Sequence, residues 1–143
     1  MNSLIAGILI FISSIYLGIG VSNIYKNKVD FYEDLLYFIN FCNSEITYYN
    51  KTVDQIIEKY NNNNPKSKLI GNIVKDNECI EIYEETIGGI RNLDKDSQQA
   101  FFDLQSSKVE LAKQKASISW ENKGKIYRKI SPLVGLGIMI LII

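Results

Sequence analysis

The sequence predicts an all-α protein, a membrane-anchored antiparallel helical bundle with N-terminal and C-terminal transmembrane helices. Three observations carry that prediction. All 16 basic and 16 acidic side chains lie between Lys26 and Lys129, which leaves an uncharged apolar segment on either side of a polar middle. Apolar residues in the middle recur at steps of three and four, the period of one helix face. Asparagine, glycine and proline punctuate those stripes at a few places only.

The first segment, Leu4 to Ile24 (LIAGILIFISSIYLGIGVSNI), has 21 residues, and at about 1.5 Å each they match a hydrocarbon core of roughly 30 Å. No Lys or Arg precedes the run and no small-residue cleavage pattern follows it, so residues 1–25 are expected to stay as an anchor and not to be cut as a signal peptide. Gly7, Gly18 and Gly20, with Ser13 and Ser14, are small enough to admit a second helix closely.

The last segment, Ile130 to Ile143 (ISPLVGLGIMILII), has 14 residues, a length that alone fits a buried core helix or a half-length insertion. Its position after Lys123, Lys125, Arg128 and Lys129 favours a transmembrane segment over residues 130–143. Those four cations form a membrane-flanking collar, and with Lys26 and Lys28 beyond the first segment they place residues 26–129 in the cytoplasm by the positive-inside rule. Anionic lipid headgroups are an alternative use of the same collar.

About 105 residues between the anchors suffice for one small domain. Tyr32, Leu35, Leu36, Ile39, Cys42, Ile46 and Tyr49 mark a first helix, and Val53, Ile56, Ile57 and Tyr60 a second, capped by Asn50 or Thr52. Asn61 to Pro65 reads as a loop. Two short helices are expected over Leu69–Val74 and Ile80–Ile87, with Gly88-Gly89 as a stop. The longest element is expected from about Ser97 to Ile130, started by a capping box of Asp96 and Gln99 and entering the membrane unbroken. Phe101, Leu104, Leu111 and Ile118 make a narrow stripe along it, so the bundle core is assigned to Leu36, Ile39, Ile56, Leu104, Leu111 and Ile118. Glu121 and Lys125 are four apart in the favourable order.

Zero net charge gives no reason to invoke nucleic acid, which calls for a clustered basic face. Cys42 and Cys79 are expected as reduced, small apolar residues in the cytoplasm. Asn50-Lys51-Thr52 matches a glycosylation pattern that matters only in a secretory compartment. The chain has no histidine, and no nucleotide, zinc or nucleophile-elbow motif. Acidic pairs such as Asp30 with Asp34, or Glu84 with Glu85, would need burial to divide acid and base roles. Glu78, Glu81, Glu84 and Glu85 read as solvated surface before they read as a cation site. The expectation is a protein that is not an enzyme, with no catalytic residues, cofactor, metal or small-molecule substrate.

Four stretches resemble the stage III sporulation protein AB family, itself similar to the cytoplasmic domains of type II secretion F proteins. They are the glycine-containing anchor, Cys42-Asn-Ser-Glu-Ile-Thr-Tyr with Thr52-Val-Asp-Gln-Ile-Ile, Lys123-Gly-Lys-Ile-Tyr-Arg-Lys-Ile, and the aliphatic tail from Tyr127 to Ile143. The stretch from Lys66 to Asp94 is shorter than in that family and lacks its tryptophan-bearing helix, and Ser131-Pro132 stands where the family has Leu-Gly. The resemblance implies a non-enzymatic platform in the mother-cell membrane of a sporulating bacterium. Such a platform contributes to the channel complex between mother cell and forespore. Its implied partners are other stage III sporulation complex proteins, including a cytoplasmic ATPase. A holin- or toxin-like membrane protein and an anchored division scaffold are the alternatives the layout also admits.

Overall fold

The computed structural model describes residues 1–49, 51–65, 76–94 and 96–143, with the side chain of residue 48 outside the description. The described residues form helices joined by short turns, without a strand: α1 (Asn2–Tyr49), α2 (Val53–Asn63), α3 (Asn77–Arg91), α4 (Gln98–Ser119) and α5 (Lys125–Ile142). One π-helical turn, Trp120–Gly124, joins α4 to α5 without a break.

Several boundaries differ from the sequence-based expectation. The anchor and the first helix of the middle are one 48-residue helix, because nothing between Ile24 and Tyr32 interrupts hydrogen bonding, and this helix is longer than α4. α2 continues through Asn61 to Asn63, since asparagine in a last turn costs only a few tenths of a kcal/mol. Gly88 and Gly89 lie inside α3, which ends at Arg91. α4 begins at Gln98, where the Ser97 carbonyl takes the first helical bond from the Phe101 amide at 2.9 Å. The expected helix over Leu69–Val74 and the residue Asn50 lie outside the described residues.

The chain divides into two compact units, Met1–Lys26 with Ala116–Ile143, and Asn27–Lys115. In the second unit, Phe31, Tyr32, Leu35, Phe38, Ile39 and Cys42 of α1 are buried with Ile56 and Tyr60 of α2, Cys79, Ile82 and Ile90 of α3, and Phe102, Val109 and Ala112 of α4. The Tyr60 ring meets Phe38 edge-on at 5.0 Å and lies 5.6 Å from Phe41, while its hydroxyl donates to the Asp34 carbonyl at 3.3 Å. Aromatic contacts of this kind add to the area they bury. Asp76 caps α3, accepting from the amides of Glu78 and Cys79 at 3.0 and 3.3 Å.

Buried polar side chains of this unit are paired across helices. Gln105 of α4 donates to the Thr86 hydroxyl of α3 at 2.7 Å, and that hydroxyl donates to the Ile82 carbonyl at 2.8 Å. Both side chains are buried, so each satisfies the other's desolvated group. Glu45 is also buried. Its carboxylate takes Lys59 at 2.7 Å and Lys51 at 3.0 Å, and these two ammonium groups, Lys59 first, hold the carboxyl below its ordinary range against the opposing effect of burial. Burial, then the Glu45 charge, pushes the Cys42 thiol up to about 12; burial likewise raises Cys79.

The residues assigned to the core divide. Ile39 and Ile56 are buried and Leu36 is half-buried. Leu104, Leu111 and Ile118 are instead 71, 59 and 59 % exposed. α4 packs through the face of Phe102, Gln105, Val109 and Ala112, which lies on the other side of the helix from that stripe.

Candidate membrane interface

The unit formed by Met1–Lys26 and Ala116–Ile143 is assembled through its smallest residues. Its buried positions are Gly7, Gly18, Ser22, Ala116, Gly124 and Gly135. Its exposed positions include Leu4, Ile5, Ile8, Leu9, Ile12 and Leu17 of α1 and Ile130, Leu133, Val134, Leu136, Ile140 and Leu141 of α5. A water-soluble core reverses this distribution. Helices that meet in lipid show it, because aliphatic side chains gain nothing by leaving hydrocarbon and close backbone approach supplies the contact energy.

Each helix presents a Ser-x-x-x-Gly pair, Ser14 with Gly18 and Ser131 with Gly135, and the two pairs meet reciprocally. A Cβ added to Gly18 would collide with the Ser131 side chain, and one added to Gly135 would lie 2.9 Å from the Ser14 Cβ. Across the gap, Ser14 Oγ donates to the Ser131 carbonyl at 2.5 Å, Ser131 Oγ donates to the Ser14 carbonyl, and the two hydroxyls lie 3.2 Å apart. Gly7 sits 3.0 Å, by its missing Cβ, from Met139 Cγ. Gly20 faces open space, and Ser13 bonds back to the Leu9 carbonyl of its own helix at 2.8 Å. Of the five small residues noted in the anchor, Gly7, Ser14 and Gly18 therefore make the interface.

Toward Lys26 the unit ends in aromatic and cationic groups. Tyr25 and Tyr127 stack at 6.4 Å and 14°. Gly124 closes the π-helical turn, where the Lys125 amide reaches the Trp120 carbonyl, and its missing Cβ leaves room for Trp120 Cδ1 at 2.7 Å and Tyr25 Cβ at 3.1 Å. The Lys125 ammonium lies 4.4 Å over the Trp120 ring and pairs with Glu121 at 2.7 Å. Lys123, Arg128 and Lys129 are exposed, with no ion-pair partner among the described residues. The four-residue collar thus splits into one cation used internally and three that face solvent. From Gly7 to Tyr25 is about 27 Å along α1, close to the thickness of a hydrocarbon core.

Among the described residues one helix, the stretch Asn2–Thr47 of α1, is long and apolar enough to cross a membrane, and only 11 % of its most apolar window is buried. α5 carries Lys125, Arg128 and Lys129 in its first turns and does not meet that measure by itself.

Sequence reasoning missed the π-helical turn and the reciprocal serines. The two Ser-x-x-x-Gly pairs were a usable signal for the latter. Comparison with protein-family models, with curated proteins and with solved structures found no match.

Proposed function

We propose that this chain is a non-enzymatic membrane platform, with α1 and α5 as its two transmembrane helices and an antiparallel helical bundle, residues 26–129, in the cytoplasm. The observation that carries the reading is the inverted burial of the first unit, with glycines and serines inside and leucines and isoleucines outside. The apolar part of α5, from Ile130, is short for a lone span, and the reciprocal serine bonds hold it against α1 within the pair. The three solvent-facing cations of the collar agree with a cytoplasmic flank.

The particular role follows from the resemblance stated above. The platform belongs to the channel complex between mother cell and forespore, sits in the mother-cell membrane, and docks a cytoplasmic ATPase through its helical unit. No cofactor, metal, nucleic acid or small-molecule substrate enters this reading.

A topology map tests it. Single cysteines replacing Asn2, Asn63 and Ile143 should label with impermeant maleimide in intact cells at 2 and 143 and stay protected at 63. Labelling at 63 overturns the orientation and the ATPase docking with it. Loss of the gene in a spore-forming host should lower heat-resistant spore counts at unchanged vegetative growth; unchanged counts would remove the sporulation role.

A further inference from the structure

The outward stripe of α4 has a structure of its own. With Leu104 and Leu111 at the first position of successive heptads, Ser107 and Gln114 take the fourth position of each seam. Asp103 and Glu110 precede the two leucines and line one flank. Lys108 and Lys115 line the other. All eight side chains are exposed. The opposite face, through Gln105, Val109 and Ala112, is buried in the chain's own core, and the seam side chains are left exposed among the described residues.

We propose that this seam is a self-association surface on which a second copy of the chain docks with its α4 parallel to the first. Charge decides the partner and the direction. In a parallel pair, the residue before each leucine faces the residue five positions later on the other helix. That sets Asp103 against Lys108 of the second copy and Glu110 against Lys115, twice each by symmetry. An antiparallel pair would set acid against acid and base against base, which selects against it. Glu110 and Lys115 have no ion-pair partner among the described residues, so the second charge pair is the one free to form; Lys108 already bonds both oxygens of Glu85, at 2.7 and 2.6 Å, and would share itself between Glu85 and the second copy's Asp103. Two copies held in one membrane supply the confinement the pairing needs, and in this respect the inference rests on the platform reading. Polar Ser107 and Gln114 in the seam make the pairing weak in dilute solution, so it depends on confinement to a membrane.

The test uses the full chain in vesicles, with Leu104→Cys, Leu111→Cys or Glu81→Cys introduced singly and copper-phenanthroline as oxidant. Cys42 and Cys79 are fully buried and supply no background. Leu104→Cys and Leu111→Cys should each cross-link to a dimer, and Glu81→Cys, at an exposed position of α3, should not. Adding Glu110→Lys to Leu111→Cys should cut the cross-linking rate about fivefold, and adding Lys115→Glu as well should restore it. Circular dichroism identifies any variant that fails to fold; the substituted sites are all exposed, and the restoring pair is its own control. Equal cross-linking at 81 and 111, no cross-linking at 111, or failure of the double reversal to restore it overturns the proposal. Flotation of the vesicles separates the two readings: a chain that floats but does not cross-link refutes the dimer alone, and a chain that does not float refutes the membrane platform.

Discussion

Replacing Gly18 by leucine should open the α1–α5 pair, while the same change at Gly20, two residues away, should not. A Cβ on Gly18 would lie 2.7 Å from Ser131 Oγ and 3.1 Å from the Tyr127 carbonyl. Restoring ordinary contact at about 3.5 Å requires the helices to part by at least about 0.8 Å. The Ser131 Cβ would lie closer still, so the Ser14 Oγ to Ser131 carbonyl bond, 2.5 Å in the native pair, would stretch to at least about 3.3 Å, beyond the usual range for a hydroxyl donor. Its reciprocal partner would lengthen with it. Interhelical bonds in membranes average about 0.6 kcal/mol and reach about 1.7, so losing two costs about 1–3 kcal/mol. Trp120, the only tryptophan in the chain, packs against Gly124 in the same unit and reports the change. Titration of detergent-solubilised protein with a denaturing detergent, followed by Trp120 fluorescence, should show Gly18→Leu unfolding early and Gly20→Leu at the wild-type midpoint. Coincident midpoints for the two variants would refute the reasoning.

Gly88 has open space where its Cβ would be and lies inside α3, so Gly88→Ala should raise stability to urea by about 0.5–1 kcal/mol. Thr86→Val strands the Gln105 amide in the core and should cost about 1–3 kcal/mol; Thr86→Val with Gln105→Leu should cost less than the sum of the two single changes, as a double-mutant cycle measures. The Glu45 carboxyl is held below its ordinary value of 4.5, so its contribution is present above that pH and is lost as pH falls through the lower, folded value. Thermal melts from pH 7 to pH 3 should therefore find Glu45→Gln less stable than wild type at neutrality and approaching it in acid. With the Cys42 thiol at about 12, neither it nor Cys79 should react with iodoacetamide at pH 8 until the chain is unfolded, as mass spectrometry would show.

The long apolar N-terminal helix was legible because length and absence of charge are one-dimensional properties. Its pairing was not: Ser14-x-x-x-Gly18 declares that something packs closely, and carries no address for Ser131 and Gly135 more than a hundred positions away. α4 was read with the wrong face inward. A seven-residue spacing of Leu104, Leu111 and Ile118 marks a stripe and does not say what covers it. The face that does pack, Phe102, Gln105, Val109 and Ala112, steps by three and four but contains a glutamine, whose burial depends on Thr86 of another helix. Gly89 resembled a helix stop for a similar reason. It lies inside α3 against the Phe101 ring, where a Cβ would not fit, so its smallness serves packing and not termination.

The central claim is that the first unit faces lipid with its leucines and seals itself with its serines. Spin labels at Leu9, Leu133, Ser14 and Glu81, each introduced singly into the full chain in vesicles, measure this by collision with oxygen and with a water-soluble nickel complex. Labels at Leu9 and Leu133 should collide strongly with oxygen and weakly with nickel, the label at Ser14 weakly with both, and the label at Glu81 strongly with nickel. Nickel accessibility at Leu9 and Leu133 equal to that at Glu81 would contradict the account.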